Sequence, residues 1–277
     1  MKFDKPKLRC GITGHTGVLG KEFLTKKNNL KFIKFKGDIT KKKDIKKWLL
    51  HNSIDIIIHL AAIVPTNIVK KKFNYANKVN YIGTKLLIDE VIKYKKIRWL
   101  FYSSTSHVYK FSRNKISETS IIKPSSKYGL TKLKGENYIK KKLNKKISFC
   151  IGRIFSFTSV NQIKDYVVPS ILSKAKSKKK QIFFKNTNHL RDFLCVSDIC
   201  KAIKILIDRK STGIYNIGSG NKVLISDIIK LIFAKYNKKY FIKNTLKQTC
   251  LVANNSKIKR LNWRPTKNIE AIVKELF

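Results

Sequence analysis

Apolar runs alternate with amphipathic stretches along the first half of the chain. Five short apolar runs predict buried strands, over Leu8–Thr13, Leu30–Phe35, Ile54–Leu60, Ile97–Ser103 and Ile147–Gly152. Between these runs, apolar residues recur at helical spacing and predict helices over Gly17–Asn28, Lys41–His51, Asn74–Lys95 and Ser126–Asn144. Strands that alternate with helices predict βαβ units and a parallel α/β sheet, with ligands at the carboxyl ends of the strands.

The turn between the first predicted strand and helix is rich in glycine. In the stretch Thr13-Gly14-His15-Thr16-Gly17-Val18-Leu19-Gly20, the glycines recur at every third position. Glycines let the backbone approach a phosphate closely, and the helix N-terminus offers N–H groups and partial positive charge to it. The sequence therefore predicts a Rossmann-type doubly wound sheet whose first turn binds the pyrophosphate of a dinucleotide.

The alternation loosens after Gly152. Helices are predicted over 166–178, 197–208 and 226–236 and near the C-terminus, and strands over 181–184 and 214–217. No repeat or low-complexity linker separates this part from the first half. We therefore predict a dinucleotide-binding domain over 1–155. The remainder, 156–277, is predicted as mainly a smaller, interleaved substrate lobe, of which about 191–218 returns to the first domain.

Length and cysteine content exclude several classes of protein. The chain has 277 residues, enough to bury a large core. The longest apolar run, Ile54–Pro65, is interrupted by Asp55 and His59 and is too short to cross a bilayer. No apolar segment follows the lysine-rich start, so we expect no secretory signal and a cytoplasmic protein. Five cysteines without a C-x-x-C pair predict reduced thiols and no metal site.

The formal net charge of +46 would by itself suggest nucleic acid or an anionic membrane as partner. Only eight of the 62 basic residues are arginines, however, as expected from lysine-favouring, AT-rich codons. The lysines are spread along the chain and do not form one basic stripe with interleaved aromatics. We therefore expect no nucleic-acid and no membrane partner. The positive field still favours anionic ligands, and nucleic-acid binding stays the alternative, with steep salt dependence as its mark.

Tyr128 and Lys132 stand four residues apart, on one face of a predicted helix. A neighbouring cation and an oxidised nicotinamide both favour phenolate, so such a tyrosine titrates below its ordinary pKa near 10. It can then exchange a proton with a sugar hydroxyl. The same spacing occurs at Tyr81/Lys85 and Tyr138/Lys142. Only Tyr128 begins a helix that follows a Pro-Ser loop and precedes a strand.

Hydroxyl residues follow the fourth predicted strand, at Ser103-Ser104-Thr105. A hydroxyl at this strand end would face the nicotinamide beside Tyr128. It could hydrogen-bond the reacting oxygen and stabilise charge that develops there.

At this point the chain resembles the extended short-chain dehydrogenases/reductases of the NAD-dependent epimerase/dehydratase family, over nearly its full length. The matching motifs are Thr13-Gly14-x-x-Gly17-x-x-Gly20, Gly37-Asp38-Ile39, His59-Leu60-Ala61-Ala62, Val79-Asn80-x-x-Gly83-Thr84, Ser103-Ser104-Thr105, Tyr128-x-x-x-Lys132, Arg153-Ile154-Phe155, Arg191-Asp192-Phe193 and Tyr215-Asn216-Ile217-Gly218-Ser219-Gly220.

The resemblance implies a role for each matching position. The catalytic residues would be Thr105, Tyr128 and Lys132. The cofactor, NAD or NADP, would contact Gly14, Thr16, Gly17, Val18, Leu19, Gly20, Asp38, Ile39, Leu60, Ala61, Ala62, Asn80, Ser103, Tyr128 and Lys132. The nucleotide-sugar substrate would contact Thr105, Ser156 and Arg191. The guanidinium of Arg191 suits the diphosphate, and the family implies a homodimer formed by the helices that hold Asn80 and Tyr128.

Departures from the family pattern narrow the expected reaction. Similar 4,6-dehydratases follow the catalytic threonine with Asp-Glu, whereas this chain has Ser106 and His107, so dehydration is disfavoured. An asparagine usual in the family is replaced by Ser156, which weakens a detailed assignment of substrate contacts. The second strand ends without the acid that binds the ribose of NAD. The segment is short, as in proteins similar to dTDP-4-dehydrorhamnose reductase, and Lys34 and Lys36 there favour NADPH.

The leading hypothesis is an NAD(P)-dependent oxidoreduction at C4 of a nucleotide-diphosphate sugar, similar to UDP-glucose 4-epimerase. A 4-keto-6-deoxysugar reductase that uses NADPH is the first alternative. A non-catalytic NAD(P)-sensing regulator on the same fold is the second.

Overall fold

The computed structural model describes residues 8–25, 29–144 and 146–277. They form two compact units. Unit 1 comprises the described residues up to Thr105, together with 126–152 and 203–214. Unit 2 comprises 106–125, 153–202 and 215–277. The assignment of 1–155 to the cofactor and of 156–277 mainly to the substrate concerns binding roles and stays a prediction.

The first part of the chain alternates strands and helices. In chain order the elements are β1 (Leu8–Thr13), α1 (Val18–Thr25), β2 (Leu30–Lys34), α2 (Lys42–Leu50), β3 (Ile56–His59), α3 (Thr66–Lys71), α4 (Phe73–Asn77), a π-helical turn (Lys78–Ile82), α5 (Gly83–Val91), β4 (Trp99–Thr105), a 3₁₀ turn (Ser106–Val108), α6 (Lys127–Leu143) and β5 (Ser148–Ile154).

The second part has shorter strands. Its elements are β6 (Ser156–Thr158), α7 (Val167–Lys176), β7 (Gln181–Lys185), β8 (Leu190–Arg191), β9 (Phe193–Cys195), α8 (Val196–Asp208), β10 (Gly213–Ile217), β11 (Val223–Leu224), α9 (Ile225–Ala234), β12 (Lys239–Lys243), β13 (Cys250–Leu251), α10 (Ser256–Lys259) and α11 (Ile269–Lys274).

The main sheet has six strands in the order β10-β5-β4-β3-β1-β2. The pairs β1–β2, β1–β3 and β3–β4 are parallel, with Ile12 opposite both Lys34 and Ile58. The order reverses between β1 and β3, and in such sheets ligands bind in the crevice outside the carboxyl ends at the point of reversal. The predicted doubly wound parallel sheet is confirmed, and its reversal point lies beside the glycine turn.

Unit 1 is held by a core of side chains from the sheet and its helices. Trp48 of α2, Leu87 of α5, Leu100 of β4 and Ile139 of α6 are all buried in it. Apolar residues at helical spacing therefore fix α6 against β4, as the pattern predicts.

Unit 2 contains three small sheets: a parallel β6–β9 pair, a parallel β7–β12 pair and a three-stranded sheet in the order β11-β8-β13. Its core packs α7 and α9 on these strands through Val168, Ile171, Phe184, Ile228 and Ile232.

Every strand and helix predicted in the first half is present, with ends shifted by a few residues. The predicted helix over 17–28 is seen to Thr25, and its last three positions lie outside the described residues. The predicted helix over 74–95 is instead α4, the π-helical turn and α5. Helices α3 and α10 were not predicted, and neither were the strands β6, β8, β9, β11, β12 and β13.

Two expectations from composition concern the state of the cysteines and the presence of membrane-spanning segments. All five cysteines are buried, and none takes part in a disulfide. Across the described ranges, none of the helices combines the length and apolar character that a bilayer span requires.

Candidate active site

The glycine turn packs directly against the segment that follows β3. Gly14 has φ +71°, and a Cβ there would lie 2.5 Å from the nitrogen of Ala61. The nitrogen of Leu60 donates to the carbonyl of Thr13 at 3.2 Å. A Cβ on Gly20 would lie 2.3 Å from the carbonyl oxygen of Gly14. Both glycines are therefore required by close backbone approach and, at Gly14, by left-handed backbone.

Gly17 differs from its two neighbours in the motif. A Cβ there would lie 3.4 Å from the carbonyl oxygen of Gly14, which is an ordinary contact. Packing does not require this glycine, so its bare Cα leaves room for a ligand. The first turn of α1, at Val18 and Leu19, presents N–H groups that have no acceptor within the helix. This arrangement fits a pyrophosphate, and hence a dinucleotide.

His59 links the glycine turn to α5. Thr84 donates its hydroxyl to the carbonyl of Asn80 at 2.7 Å, so its oxygen accepts from Nε2 of His59 at 2.9 Å. Nδ1 of His59 then accepts from the hydroxyl of Thr13 at 2.6 Å. Burial, with a smaller effect from the charge of Lys132, lowers the pKa of His59 to about 3. The imidazole is therefore neutral and fixes the end of β1.

Asn80 lies in the π-helical turn and is fully buried. Its side chain accepts from the nitrogen of Ile63 at 2.7 Å and donates to the carbonyl of Ile63 at 2.9 Å. It also donates to the hydroxyl of Thr131 at 3.0 Å, and Thr131 donates to the carbonyl of Tyr128 at 2.8 Å. Asn80 thus ties the segment after β3 to the first turns of α6. Its predicted cofactor contact stays a prediction.

The three predicted catalytic residues lie in unit 1. Thr105 is the last residue of β4 and is buried. Tyr128 lies in the first turn of α6 and is 8% exposed. The helix begins there because the hydroxyl of Ser126 accepts from the nitrogen of Gly129 at 3.0 Å. One turn later, Lys132 is 1% exposed. Their catalytic roles remain predictions.

Lys132 lies in an unusual setting for a lysine. Its Nζ is 4.1 Å from the centre of the Tyr102 ring. Burial lowers its pKa to about 7, and the charge of Glu136 acts in the opposite direction. A Cβ on Gly135 would lie 2.3 Å from the Tyr102 hydroxyl oxygen, so helix and ring are in close contact.

Sequence reasoning named Ser104 only as part of the motif Ser103-Ser104-Thr105, without a role, and did not name Glu136. The hydroxyl of Ser104 donates to Oε1 of Glu136 at 2.5 Å, and both side chains are buried. The available signal was the spacing Lys132-x-x-x-Glu136, which places both side chains on one helix face.

The segment after β2 contains the residues predicted to meet the adenosine. The Asp38 carboxylate accepts from the nitrogen and hydroxyl of Thr40, at 2.9 and 2.8 Å. These bonds lower the pKa of Asp38. Ile39 is buried, whereas Lys34 and Lys36 are exposed at the carboxyl end of the strand.

Of the other predicted cofactor contacts, Thr16 is exposed in the glycine turn, and Ser103, Leu60, Ala61 and Ala62 are partly buried.

Two of the residues predicted to contact the substrate, Arg191 and Ser156, lie in unit 2. Arg191, the last residue of β8, donates from Nη1 to the carbonyl of Thr249 at 3.1 Å and from Nη2 to its hydroxyl at 3.0 Å. The Phe111 ring lies 5.6 Å from its guanidinium carbon. Burial lowers the pKa of Arg191 to about 10, so it is a cation at neutral pH. Ser156 begins β6, opposite Phe193.

Two positions that bear on dehydration also lie in unit 2. Ser106 is buried. Burial, followed by the charge of Arg191, lowers the pKa of His107 to about 4. The imidazole of His107 is therefore neutral at neutral pH.

The fold is that of a Rossmann-type dinucleotide-binding protein. The family model described as "NAD dependent epimerase/dehydratase family" matches residues 11–218. The chain belongs to this family, which confirms the resemblance. It also confirms the predictions that the protein is an enzyme of the extended short-chain dehydrogenase/reductase type and that its cofactor is a nicotinamide dinucleotide.

Curated relatives include three kinds of nucleotide-sugar enzyme. A dTDP-D-glucose 4,6-dehydratase from Dictyostelium discoideum is 27% identical over 80% of the chain and 53% of the relative. A provisionally named UDP-glucose 4-epimerase from Methanocaldococcus jannaschii is 27% identical over 69% of the chain and 64% of the relative. A dTDP-4-dehydro-6-deoxyglucose reductase from Escherichia coli is 26% identical over 81% of the chain and 74% of the relative. The chain thus spans less than two thirds of the first two.

Solved structures share the fold over nearly the whole chain. RMD from Pseudomonas aeruginosa, complexed with NADPH, has a TM-score of 0.88 and 19% identity, with 97% of each chain covered. UDP-glucose 4-epimerase from Thermus thermophilus, complexed with NAD, has a TM-score of 0.82 and 17% identity, with 97% of this chain and 99% of that one covered.

Proposed function

We propose that the chain catalyses NAD(P)-dependent oxidoreduction at C4 of a nucleotide-diphosphate sugar, as a 4-epimerase. The observation that carries the proposal is the burial of Thr105, Tyr128 and Lys132 in the unit that also contains the glycine turn. A buried tyrosine–lysine pair one helical turn apart is suited to proton transfer at a sugar hydroxyl.

Each of the three residues has a distinct part in the proposed chemistry. The bound nicotinamide cofactor supplies the hydride acceptor and donor. Tyr128 takes the proton of the C4 hydroxyl and returns it, and the Lys132 ammonium stabilises the phenolate. Thr105 donates a hydrogen bond to the C4 oxygen and stabilises charge on it. Burial of all three strengthens these interactions by excluding water.

The substrate class follows from Arg191 and from the relatives. The relatives described above are named for enzymes of dTDP-linked or UDP-linked sugars. The Arg191 cation fits a diphosphate, whose oxygens accept from a guanidinium fork. We assign Arg191 to the diphosphate of the substrate and keep Ser156 as a substrate contact. The homodimer and the cytoplasmic location stay predictions alongside this assignment.

Dehydration is not part of the proposal, although one relative is a dehydratase. Elimination of water needs a proton donor and a base, and similar 4,6-dehydratases carry Asp-Glu after the catalytic threonine. Ser106 is not an acid in the neutral range. The pKa of His107, about 4, leaves it without a proton to donate at neutral pH.

A 4-keto reductase is the second candidate because of the carboxyl end of β2. Lys34 and Lys36 are exposed there, and the strand carries no acid. Cations at this position accommodate the 2′-phosphate of NADP. A reductase consumes NADPH as its hydride donor.

Identification of the retained small molecules tests both candidates. The purified protein is denatured and the released molecules are identified by mass spectrometry, which distinguishes NAD from NADP. Interconversion of UDP-hexoses without net cofactor use supports the epimerase. Stoichiometric NADPH consumption with a nucleotide-linked 4-keto sugar supports the reductase. Tight cofactor binding without turnover of either class overturns both and leaves the regulator.

A further inference from the structure

The carboxyl group of Glu136 is buried next to the predicted active site, yet the proposed chemistry does not use it. Helix α6 places Glu136 one turn after Lys132, and its side chain is 0% exposed. Glutamate is almost never fully buried without a partner, because desolvation of the carboxylate is costly. Ser104, the residue before Thr105, donates its hydroxyl to Glu136 at 2.5 Å.

We infer that Glu136 is a positioning residue for the proposed reaction: held by Ser104, it supplies the negative charge that keeps Lys132 an ammonium ion beside Tyr128. Its role in turnover rests on the proposed function. The coupling between Glu136 and Lys132 is a property of the chain itself and can be measured without substrate.

The setting of Lys132 explains why a countercharge is needed. Its Nζ lies over the Tyr102 ring at 4.1 Å, and the close approach at Gly135 seats that ring against α6. The face of a neutral aromatic ring attracts a cation, but this attraction is weaker than the hydration that the ammonium group loses when it is buried. The pKa of Lys132, about 7, already includes the effect of Glu136. Without that anion, an ammonium ion buried there would lose its proton below neutral pH.

The titratable groups around Lys132 leave Glu136 as the source of that anion. Tyr102 of β4 is neutral, since burial and the charge of Glu136 hold its pKa well above the ordinary range. His59 of β3 is neutral because its pKa is about 3. Tyr128 lies on the same helix as Lys132. Among the groups named here, Glu136 is the one whose charge raises the pKa of Lys132.

Charged groups on the neighbouring α5 are engaged with one another. Lys85 donates to Asp89 at 2.8 Å, and the hydroxyl of Tyr138 donates to the same carboxylate. They leave the assignment of Glu136 unchanged.

The coupling predicts a measurable change in the protein without substrate. Between the folded pKa of Lys132 and its ordinary value of 10.5, the unfolded state binds more protons, so stability rises with pH. Glu136→Gln lowers the folded pKa, and this rise then begins at lower pH. We expect urea unfolding of the cofactor-free protein to show a steeper rise between pH 5.5 and 7 in Glu136→Gln than in the wild type.

Glu90→Gln is the matched control. Glu90 of α5 is also buried, and it pairs with Lys93 at 2.7 Å, outside the predicted active site. Both variants lose stability, but the Glu90 variant keeps the wild-type slope between pH 5.5 and 7. Equal slopes in Glu136→Gln and the wild type overturn the inference.

Turnover supplies the second readout. When Lys132 loses its charge, the phenolate of Tyr128 is less stable, so the apparent pKa of Tyr128 in the pH profile of kcat moves upward by about one unit or more. Ser104→Ala removes the hydrogen bond to Glu136. We expect it to raise the apparent pKa of Tyr128 by a smaller amount than Glu136→Gln does. If Glu136→Gln does not fold, Ser104→Ala tests the inference in its place. An unmoved profile in the foldable variants overturns the inference. If the slope of unfolding stability against pH changes as expected but no protein, the wild type included, shows turnover, the proposed function is refuted and the coupling between Glu136 and Lys132 is established.

Discussion

Two fully buried charged side chains, Asp192 in unit 2 and Lys132 in unit 1, are accommodated in different ways. Asp192 accepts four hydrogen bonds: from the nitrogen and hydroxyl of Ser219, both at 2.7 Å, from the nitrogen of Gly220 at 2.8 Å and from that of Ala253 at 3.1 Å. Lys132 has an aromatic face 4.1 Å away and the field of Glu136.

The difference separates a structural charge from a reactive one. Burial favours the neutral form of both groups: it raises the pKa of Asp192 and lowers that of Lys132. Around Asp192, four fixed donors offset part of the cost of burial and join two loops that lie far apart in sequence. Around Lys132, the cost is offset by an aromatic face and by the field of Glu136, so its charge responds to a small change nearby. We expect substitutions near Asp192 to cost stability and those near Lys132 to cost rate.

The largest expected effect tests the reactive side. Tyr128→Phe removes the proposed proton-transfer group and should lower kcat by about 10³-fold, with the unfolding free energy nearly unchanged. Tyr138→Phe is the control on the same helix, since Tyr138 also has a lysine four residues later. Steady-state kinetics and urea unfolding measure both. Full activity in Tyr128→Phe would refute the assignment.

The next effect tests the structural side. Asp192→Ala leaves four buried donor interactions without their acceptor, and we expect a loss of about 3 kcal/mol or more in unfolding free energy. Asp227→Ala, at an exposed position in the first turn of α9, should cost less than about 1 kcal/mol. Similar losses in the two variants would remove the contrast between Asp192 and Lys132.

Dependence on pH sharpens the comparison, because the two groups contribute slopes of opposite sign. The folded pKa of Asp192 is raised from 3.8, so its contribution is present below that value and is lost as pH rises through the folded pKa. The folded pKa of Lys132 is lowered to about 7, so its contribution is present above 10.5 and is lost as pH falls to 7. Lys132→Met should flatten the unfolding free energy between pH 7 and 10. An unchanged slope in that variant contradicts the assignment.

The smallest effect concerns the exposed lysines after β2. If NADPH is the cofactor, Lys34→Ala and Lys36→Ala should each weaken its binding by about two- to fivefold and leave NADH binding unchanged. Titration of cofactor fluorescence gives both dissociation constants. Lys31→Ala, at the other end of β2, is the control. Equal losses for NADPH and NADH would show that these lysines do not recognise the 2′-phosphate.

Local patterns in the sequence predicted the parts of the site that depend on neighbouring residues. Gly14 and Gly20 were predictable because the tight turn brings backbone atoms too close for a Cβ at either position. Tyr128 and Lys132 were predictable because residues four apart share a helix face in any fold. The alternation of apolar runs predicted the parallel sheet for the same reason. The two-residue strands β8, β11 and β13 are too short for any period to show.

Long-range contacts were not predictable in this way. The pair Ser104–Glu136 depends on how α6 is seated on β4, a register that side-chain packing sets. The four donors to Asp192 come from positions up to 61 residues away. The π-helical turn that places Asn80 leaves no mark in the apolar pattern.

The contact between Gly135 and Tyr102 restricts which sequences this site can accept. Any side chain larger than hydrogen at 135 would occupy the volume of the Tyr102 hydroxyl. A chain that gains a methyl group at 135 must therefore move α6 away from Tyr102 or carry a smaller residue at 102. Either change alters the aromatic face that Nζ of Lys132 lies over. In a library of variants, these two positions are expected to change together or to stay as they are.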